Sequence, residues 1–242
     1  MKAGDRICKW IWPVTRCVIC GGRSERLYPG LCGRCLDRIT ARREKEKFCS
    51  RCGMFYAASF RQCPRCSFDR PKYAQRDGLF CAMPYDEDNA VLVKKLKYGN
   101  RRDLTETMAR LFFRYTDIDG DFDAVTAVPL HREKQRQRGF NQSRELAIRI
   151  ADEMGLPYVE TLVRTVNTVS QTKLSYGERL KSMKGAFALG KDVSVVGKRL
   201  LLVDDVVTTG ATIRECAAVL RQAGAARVGL ASFAAAKTGC GR

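Results

Sequence analysis

Residues 201–212, LLVDDVVTTGAT, place two opposite chemical demands side by side. Asp204 and Asp205 end an apolar run as adjacent carboxylates. Thr208, Thr209, Gly210, Ala211 and Thr212 then open a helix, where free backbone N–H groups and the positive helix end suit a phosphate. Carboxylates aimed at that phosphate would repel it, so they must address another part of the same ligand. The adjacent hydroxyls of a ribose are donors and carboxylates are acceptors. A sugar phosphate satisfies both halves, with its phosphate on the loop and its ribose hydroxyls on the acid pair. A divalent cation can share the acidic side.

A second chemistry lies near the other end of the chain. Cys17, Cys20, Cys32 and Cys35 form two Cys-x2-Cys pairs, and Cys49, Cys52, Cys63 and Cys66 form two more. Four thiolates complete a tetrahedral Zn²⁺ site, and a two-residue gap lets one tight turn present both sulfurs. Two structural zinc ions are expected, because a site of four thiolates leaves no open position for water or substrate. The spacing permits sequential pairing as two ribbons, or interleaved use of the first and third pairs. With little apolar content around them, the metal ions would drive folding. Of the other cysteines, Cys216 and Cys81 read as buried, while Cys8 and Cys240 fit no pattern.

These groups need a scaffold. Residues 1–70 are cysteine-rich and basic and read as a double zinc ribbon; residues 71–84 read as a linker; residues 85–242 alternate helix and strand. The stretch 88–98 is helical and stops at Gly99, and 103–115 sets Leu104, Met108, Leu111, Phe112 and Tyr115 on one face. Strands are expected over 124–130, 157–164, 199–205 and 226–236, and helices over 141–155 and 210–225. Such alternation predicts an α/β fold, a mainly parallel sheet flanked by helices. The loop after a strand in such a sheet lies at its carboxyl edge, where open α/β folds bind ligands.

Composition narrows the partners. The net charge is +18 over 242 residues. Residues 1–80 hold 18 Lys+Arg against 7 Asp+Glu, and the remainder 26 against 19. Such a balance favours polyanions, nucleic acid above all. No apolar run reaches the roughly 20 residues of a membrane helix, so no membrane insertion is expected. No signal peptide is read, which places the protein in the cytoplasm; twelve cysteines in a reducing compartment then argue for metal rather than disulfides. Trp10 and Trp12 are expected to pack on the zinc module, and His131 reads as a loop residue rather than a general base.

The stretch 201–212 resembles the 5-phosphoribosyl 1-pyrophosphate (PRPP) motif of type I phosphoribosyltransferases. LKYGNRRDL (96–104), VPLHREKQRQRGFNQSRELA (128–147) and QTKLSYGERLKSMKGAF (171–187) precede it in the order seen in the competence-associated ComF family, and the eight cysteines match that family's double zinc ribbon. The resemblance spans about residues 17–235 and implies a type I phosphoribosyltransferase fold behind a zinc-ribbon module. It further implies that Asp204 and Asp205 meet ribose directly or through Mg²⁺, and that residues 208–212 wrap the 5-phosphate. Arg138 and Gln142 then face the pyrophosphate with Lys97, and Gln171, Lys173 and Arg179 belong to a mobile catalytic loop. Ser182 stands where the family pattern has Asn. The function implied is a PRPP-binding protein of DNA uptake and natural transformation that handles single-stranded DNA, with other DNA-uptake proteins as partners. The alternative is an active phosphoribosyltransferase of unknown acceptor, and a weaker third reading is a transcript-binding regulator.

Overall fold

The computed structural model describes residues 15–68, 79–118, 120–166, 183 and 185–237. The cysteine-rich segment contributes α1 (Gly33–Glu44), the antiparallel pair β1 (Glu46–Cys49) and β2 (Met54–Ala57), and the single turn α2 (Pro64–Phe68). Then follow β3 (Leu79–Pro84), α3 (Glu87–Tyr98), α4 (Leu104–Tyr115), β4 (Ala124–Ala127), α5 (Arg132–Arg138) and α6 (Gln142–Met154). β5 (Leu162–Arg164) and β6 (Phe187–Leu189) pair antiparallel. β7 (Arg199–Val207), α7 (Ala211–Gln222) and β8 (Arg227–Ala235) complete the described elements.

The central sheet has the order β3-β8-β7-β4 and all its pairs are parallel. Its strands are buried on both faces, as a sheet covered by helices requires. Along β7, Leu201 and Val203 face one core with Leu96, Leu104, Met108, Phe112 and Leu146 of α3, α4 and α6. Leu200 and Leu202 face the other, with Ile213, Cys216, Ala217 and Leu220 of α7. This is the period-two alternation of a strand between two layers.

Two expectations need correction. Residues 79–84, expected as the end of a linker, are β3, an edge strand whose Cys81 pairs with Ser232 of β8. Leu79, Cys81, Ala82 and Met83 are all buried, so this run is core and not connection. The strand expected over 157–164 is confined to Leu162–Arg164; upstream of it Tyr158 makes only an isolated bridge to Val125. Cys216 is fully buried on α7, as expected. Cys8, Cys240, Trp10 and Trp12 lie outside the described residues.

The cysteine-rich segment is built into the core. Cys17, Leu31, Cys35, Leu36 and Ile39 belong to the apolar cluster of α3, α4 and α6, and Phe55 belongs to the opposite one. Full burial of Leu31 and Ile39 contributes about 2 kcal/mol each. Arg38 on α1 grips Asp88 through both carboxylate oxygens, at 2.9 and 2.7 Å, and Arg42 adds a third bond at 2.9 Å. The Thr107 hydroxyl on α4 donates to the Pro29 carbonyl at 2.7 Å. Among the described residues, no helix is long and apolar enough to cross a membrane.

Candidate functional site

β7 delivers Asp204 and Asp205 to the carboxyl half of the sheet, and both are buried. Asp204 Oδ1 accepts from the Ser143 hydroxyl at 2.8 Å and from the Asp205 backbone N–H at 2.9 Å. Asp205 Oδ2 meets Lys97 Nζ at 2.5 Å. Burial, and then the neighbouring charge of Asp205, push the Asp204 carboxyl up to about 7, against the opposing pull of the Ser143 hydroxyl and Lys97. Burial alone would lower Lys97, but Asp205 outweighs it and holds the ammonium above its ordinary range. Two adjacent acids thus share one cation, and the pair carries less charge than its sequence suggests.

The chain then turns into α7. Gly210 is its N-cap at φ 75°, and a Cβ there would sit 2.9 Å from the Arg214 guanidinium. Only glycine adopts that left-handed backbone without cost. The Thr209 hydroxyl accepts from the Ala211 N–H at 3.3 Å; Ala211 is buried, Thr212 is half-buried and Thr208 is exposed. Asp86 caps α3 and Asn141 caps α6 by side chain, whereas among the described residues α7 has no side-chain cap and no acid in its first turn.

α5 and α6 bring the third group. Arg138 ends α5, with Gly139 at φ 78° closing it. Arg138 Nη1 donates to Gln142 Oε1 at 3.1 Å, and Nη2 donates to the Tyr98 hydroxyl at 3.1 Å. Asn141 anchors this corner by donating to the Val128 carbonyl at 3.0 Å, just beyond β4. His131 is the N-cap of α5, its Nδ1 accepting from Glu133 N–H at 3.4 Å, which is the work of a loop residue. A cavity of about 550 Å³ opens between α3 and α5, lined by Lys97, Tyr98, Asn100, Lys134, Gln137 and Arg138.

Lys97, Arg138, Gln142, Asp204 and Asp205, expected together, are thus linked through Lys97 and Tyr98 at the end of α3. Gln171, Lys173, Arg179 and Ser182 lie outside the described residues. Sequence reasoning missed Ser143, which bonds Asp204, and Tyr98 and Lys134, which line the cavity. Lys134 follows directly from the basic run 132–138, but nothing local marks Ser143.

The eight cysteines fall into two groups, Cys17, Cys20, Cys32 and Cys35, and Cys49, Cys52, Cys63 and Cys66. Pairing is sequential. Within each group all sulfurs lie within 4.8 Å of one another. Cys49–Cys66 and Cys52–Cys63 are each 3.7 Å apart and Cys20–Cys32 3.5 Å. A tetrahedral ion with Zn–S of about 2.3 Å sets its ligands about 3.8 Å apart, so both groups fit zinc. Gly21 and Gly53, at φ 77° and 72°, follow Cys20 and Cys52 and donate back to the Cys17 and Cys49 carbonyls, so the two knuckles are built alike. Burial, and then the neighbouring sulfurs, push the Cys52 thiol well up, a cost that a divalent cation removes.

Residues 141–241 match the phosphoribosyl transferase domain family. The chain is similar to competence protein F of Haemophilus influenzae, 29% identical over 217 residues, covering 86% of this chain and 92% of that protein. It is 32% identical over 220 residues to DNA utilization protein YhgH of Salmonella typhimurium, covering 88% and 93%. Competence protein ComFC of Bacillus subtilis is 33% identical over 140 residues, covering 51% of this chain and 55% of that protein.

Proposed function

We propose, because the chain belongs to the family of competence protein F and DNA utilization protein YhgH, that it acts in DNA uptake, binding PRPP with Mg²⁺ and handling single-stranded DNA in the cytoplasm beside other DNA-uptake proteins. The observation that carries the ligand reading is the run from Asp204 and Asp205 into a helix opened by Gly210, with Lys97 closing on Asp205. In this reading the carboxylates take the ribose 2- and 3-hydroxyls or a Mg²⁺ ion. Thr208, Thr209, Gly210, Ala211 and Thr212 surround the 5-phosphate. Arg138, Gln142 and Lys97 meet the pyrophosphate, the highest density of negative charge on the ligand. Lys97 then leaves one anion for another, so binding need not strand a buried charge. The zinc ions hold the module that backs α3 and take no part in ligand chemistry.

Titration calorimetry with PRPP and Mg²⁺ tests this. Wild-type protein should give saturable heat and a raised melting temperature, and Asp204→Ala/Asp205→Ala should abolish both. Heat that survives in a folded double variant removes the assignment. A second reading, phosphoribosyl transfer to an acceptor, is favoured by a cavity of about 240 Å³ at the end of β4, lined among others by Arg132, Asn141, Tyr158 and Arg164. There the acceptor would bond to ribose C1 as the bond from C1 to pyrophosphate breaks, so release of pyrophosphate on adding nucleobases separates the two readings.

A further inference from the structure

Tyr98 is the last residue of α3 and is 73% exposed. Large aromatic side chains bury most of their area when nothing else claims them. This one stands at the rim of the 550 Å³ cavity, where Lys97, Lys134 and Arg138 supply three cations and no acid is among the described lining residues. Arg138 lies over the ring with its guanidinium carbon 5.0 Å from the centroid, and its Nη2 bonds the ring hydroxyl. That contact holds the ring, yet the residue stays 73% exposed. Gly99 ends the helix and Asn100, at φ 49°, turns the chain away, so Tyr98 projects from the end of α3.

The cations here crowd one another. Burial first, and then Arg164 and Arg138, hold the Lys134 ammonium below its ordinary range. An anion entering the cavity relieves that repulsion. A small phosphate would match the positive charge of the cavity and leave the exposed ring unexplained. A ligand that offers an aromatic face next to a phosphate explains both. In a duplex the base faces are stacked against each other, so the ligand that fits is unpaired.

We infer that Tyr98 is a stacking platform for an unpaired base of single-stranded DNA, with Lys134 beside the adjoining backbone phosphate at the mouth of the cavity. The inference rests on the single-stranded DNA reading proposed above and gives that strand a location. The strand then arrives beside the acid pair, because Lys97 both lines the cavity and contacts Asp205. Base–aromatic stacking tolerates any sequence, which suits a protein that takes DNA as it comes.

Fluorescence anisotropy with a labelled fifteen-residue oligothymidylate at low salt provides the test. Tyr98→Ala should weaken binding ~5- to 150-fold, the range of one lost stacking contact. Tyr98→Phe and Tyr98→Trp should stay within about threefold of wild type, since each keeps a ring. An abasic strand of the same length should bind wild type and Tyr98→Ala alike, and a blunt duplex should show no dependence on residue 98. If wild type binds the oligothymidylate and Tyr98→Ala binds it equally well, the platform is wrong while the DNA reading survives. If wild type does not bind it at all, both fall.

Discussion

Asp204 is a carboxyl held where its charge is costly. Its ordinary value is 3.8, and burial with Asp205 beside it raises that to about 7. Between those two values the folded protein keeps a proton that the unfolded chain has lost. Stability therefore falls as pH rises from about 4, and the loss is complete above about 7. Asp204→Asn keeps an oxygen for the Ser143 hydroxyl and the Asp205 N–H and removes the ionisation. Thermal melts from pH 4 to pH 8 should show the variant gaining over wild type with rising pH, with the largest gain above pH 7 and none near pH 4. A constant difference across that range would mean that Asp204 does not titrate as its burial implies. A residue whose loss stabilises the fold is kept for what it binds, so the stabilised variant should also lose its PRPP heat.

α3 is the element through which the zinc module reaches the site. Its first turn carries Asp88, clamped by Arg38 and Arg42 of α1, and its last turn carries Lys97, paired with Asp205. Asp88→Ala should cost about 1–3 kcal/mol, since a buried, charge-assisted network is lost. The figure stays modest because the arginine side chains are 46% exposed and can rehydrate. Denaturant unfolding of the variant measures it, and a loss below about 0.5 kcal/mol would make the clamp ornamental. Elements with strong local signals were legible in the sequence. The helices of α4 and α6 show their apolar stripes, and Gly155 marks the end of α6 in a left-handed conformation. β7 announces itself as a long apolar run. β3 does not, because its six residues earn their place only by pairing with β8, about 150 residues away, and no local period records a distant partner. The same limit hid the bond from Ser143 to Asp204, and it left open whether the cysteine pairs group sequentially. The run from the acid pair into the start of α7 was readable because its loop and carboxylates lie within twelve residues. The groups facing it come from α3, α5 and α6, and family resemblance rather than spacing pointed to Lys97, Arg138 and Gln142.

At the scale of the molecule, the net charge of +18 and the two sulfur clusters belong to one body. Cys17 and Cys35 lie in the same apolar cluster as Leu96, Leu104 and Met108. Arg101, in the turn after α3, donates to the Arg16 carbonyl at 3.2 Å, next to Cys17. A Cβ on Gly30 would fall 2.5 Å from Leu104 Cδ2, so the backbone just before Cys32 packs directly against α4. A ribbon tethered by a flexible linker could lose its metal without consequence for the rest. Here the sulfur clusters form a wall of the core that seats α3 and, with it, Lys97, so an ion bound in them would hold that wall in place. Stripping the protein with a chelator should release two zinc ions per chain and lower the melting temperature. It should also weaken PRPP binding, although none of the eight clustered cysteines bonds to the acid pair. Restoring Zn²⁺ under reducing conditions should recover all three readouts, as expected where metal binding supplies folding free energy. If chelation removed the zinc and left both the melting temperature and the PRPP heat in place, the module would be an appendage, and the shared core would contribute nothing to the site.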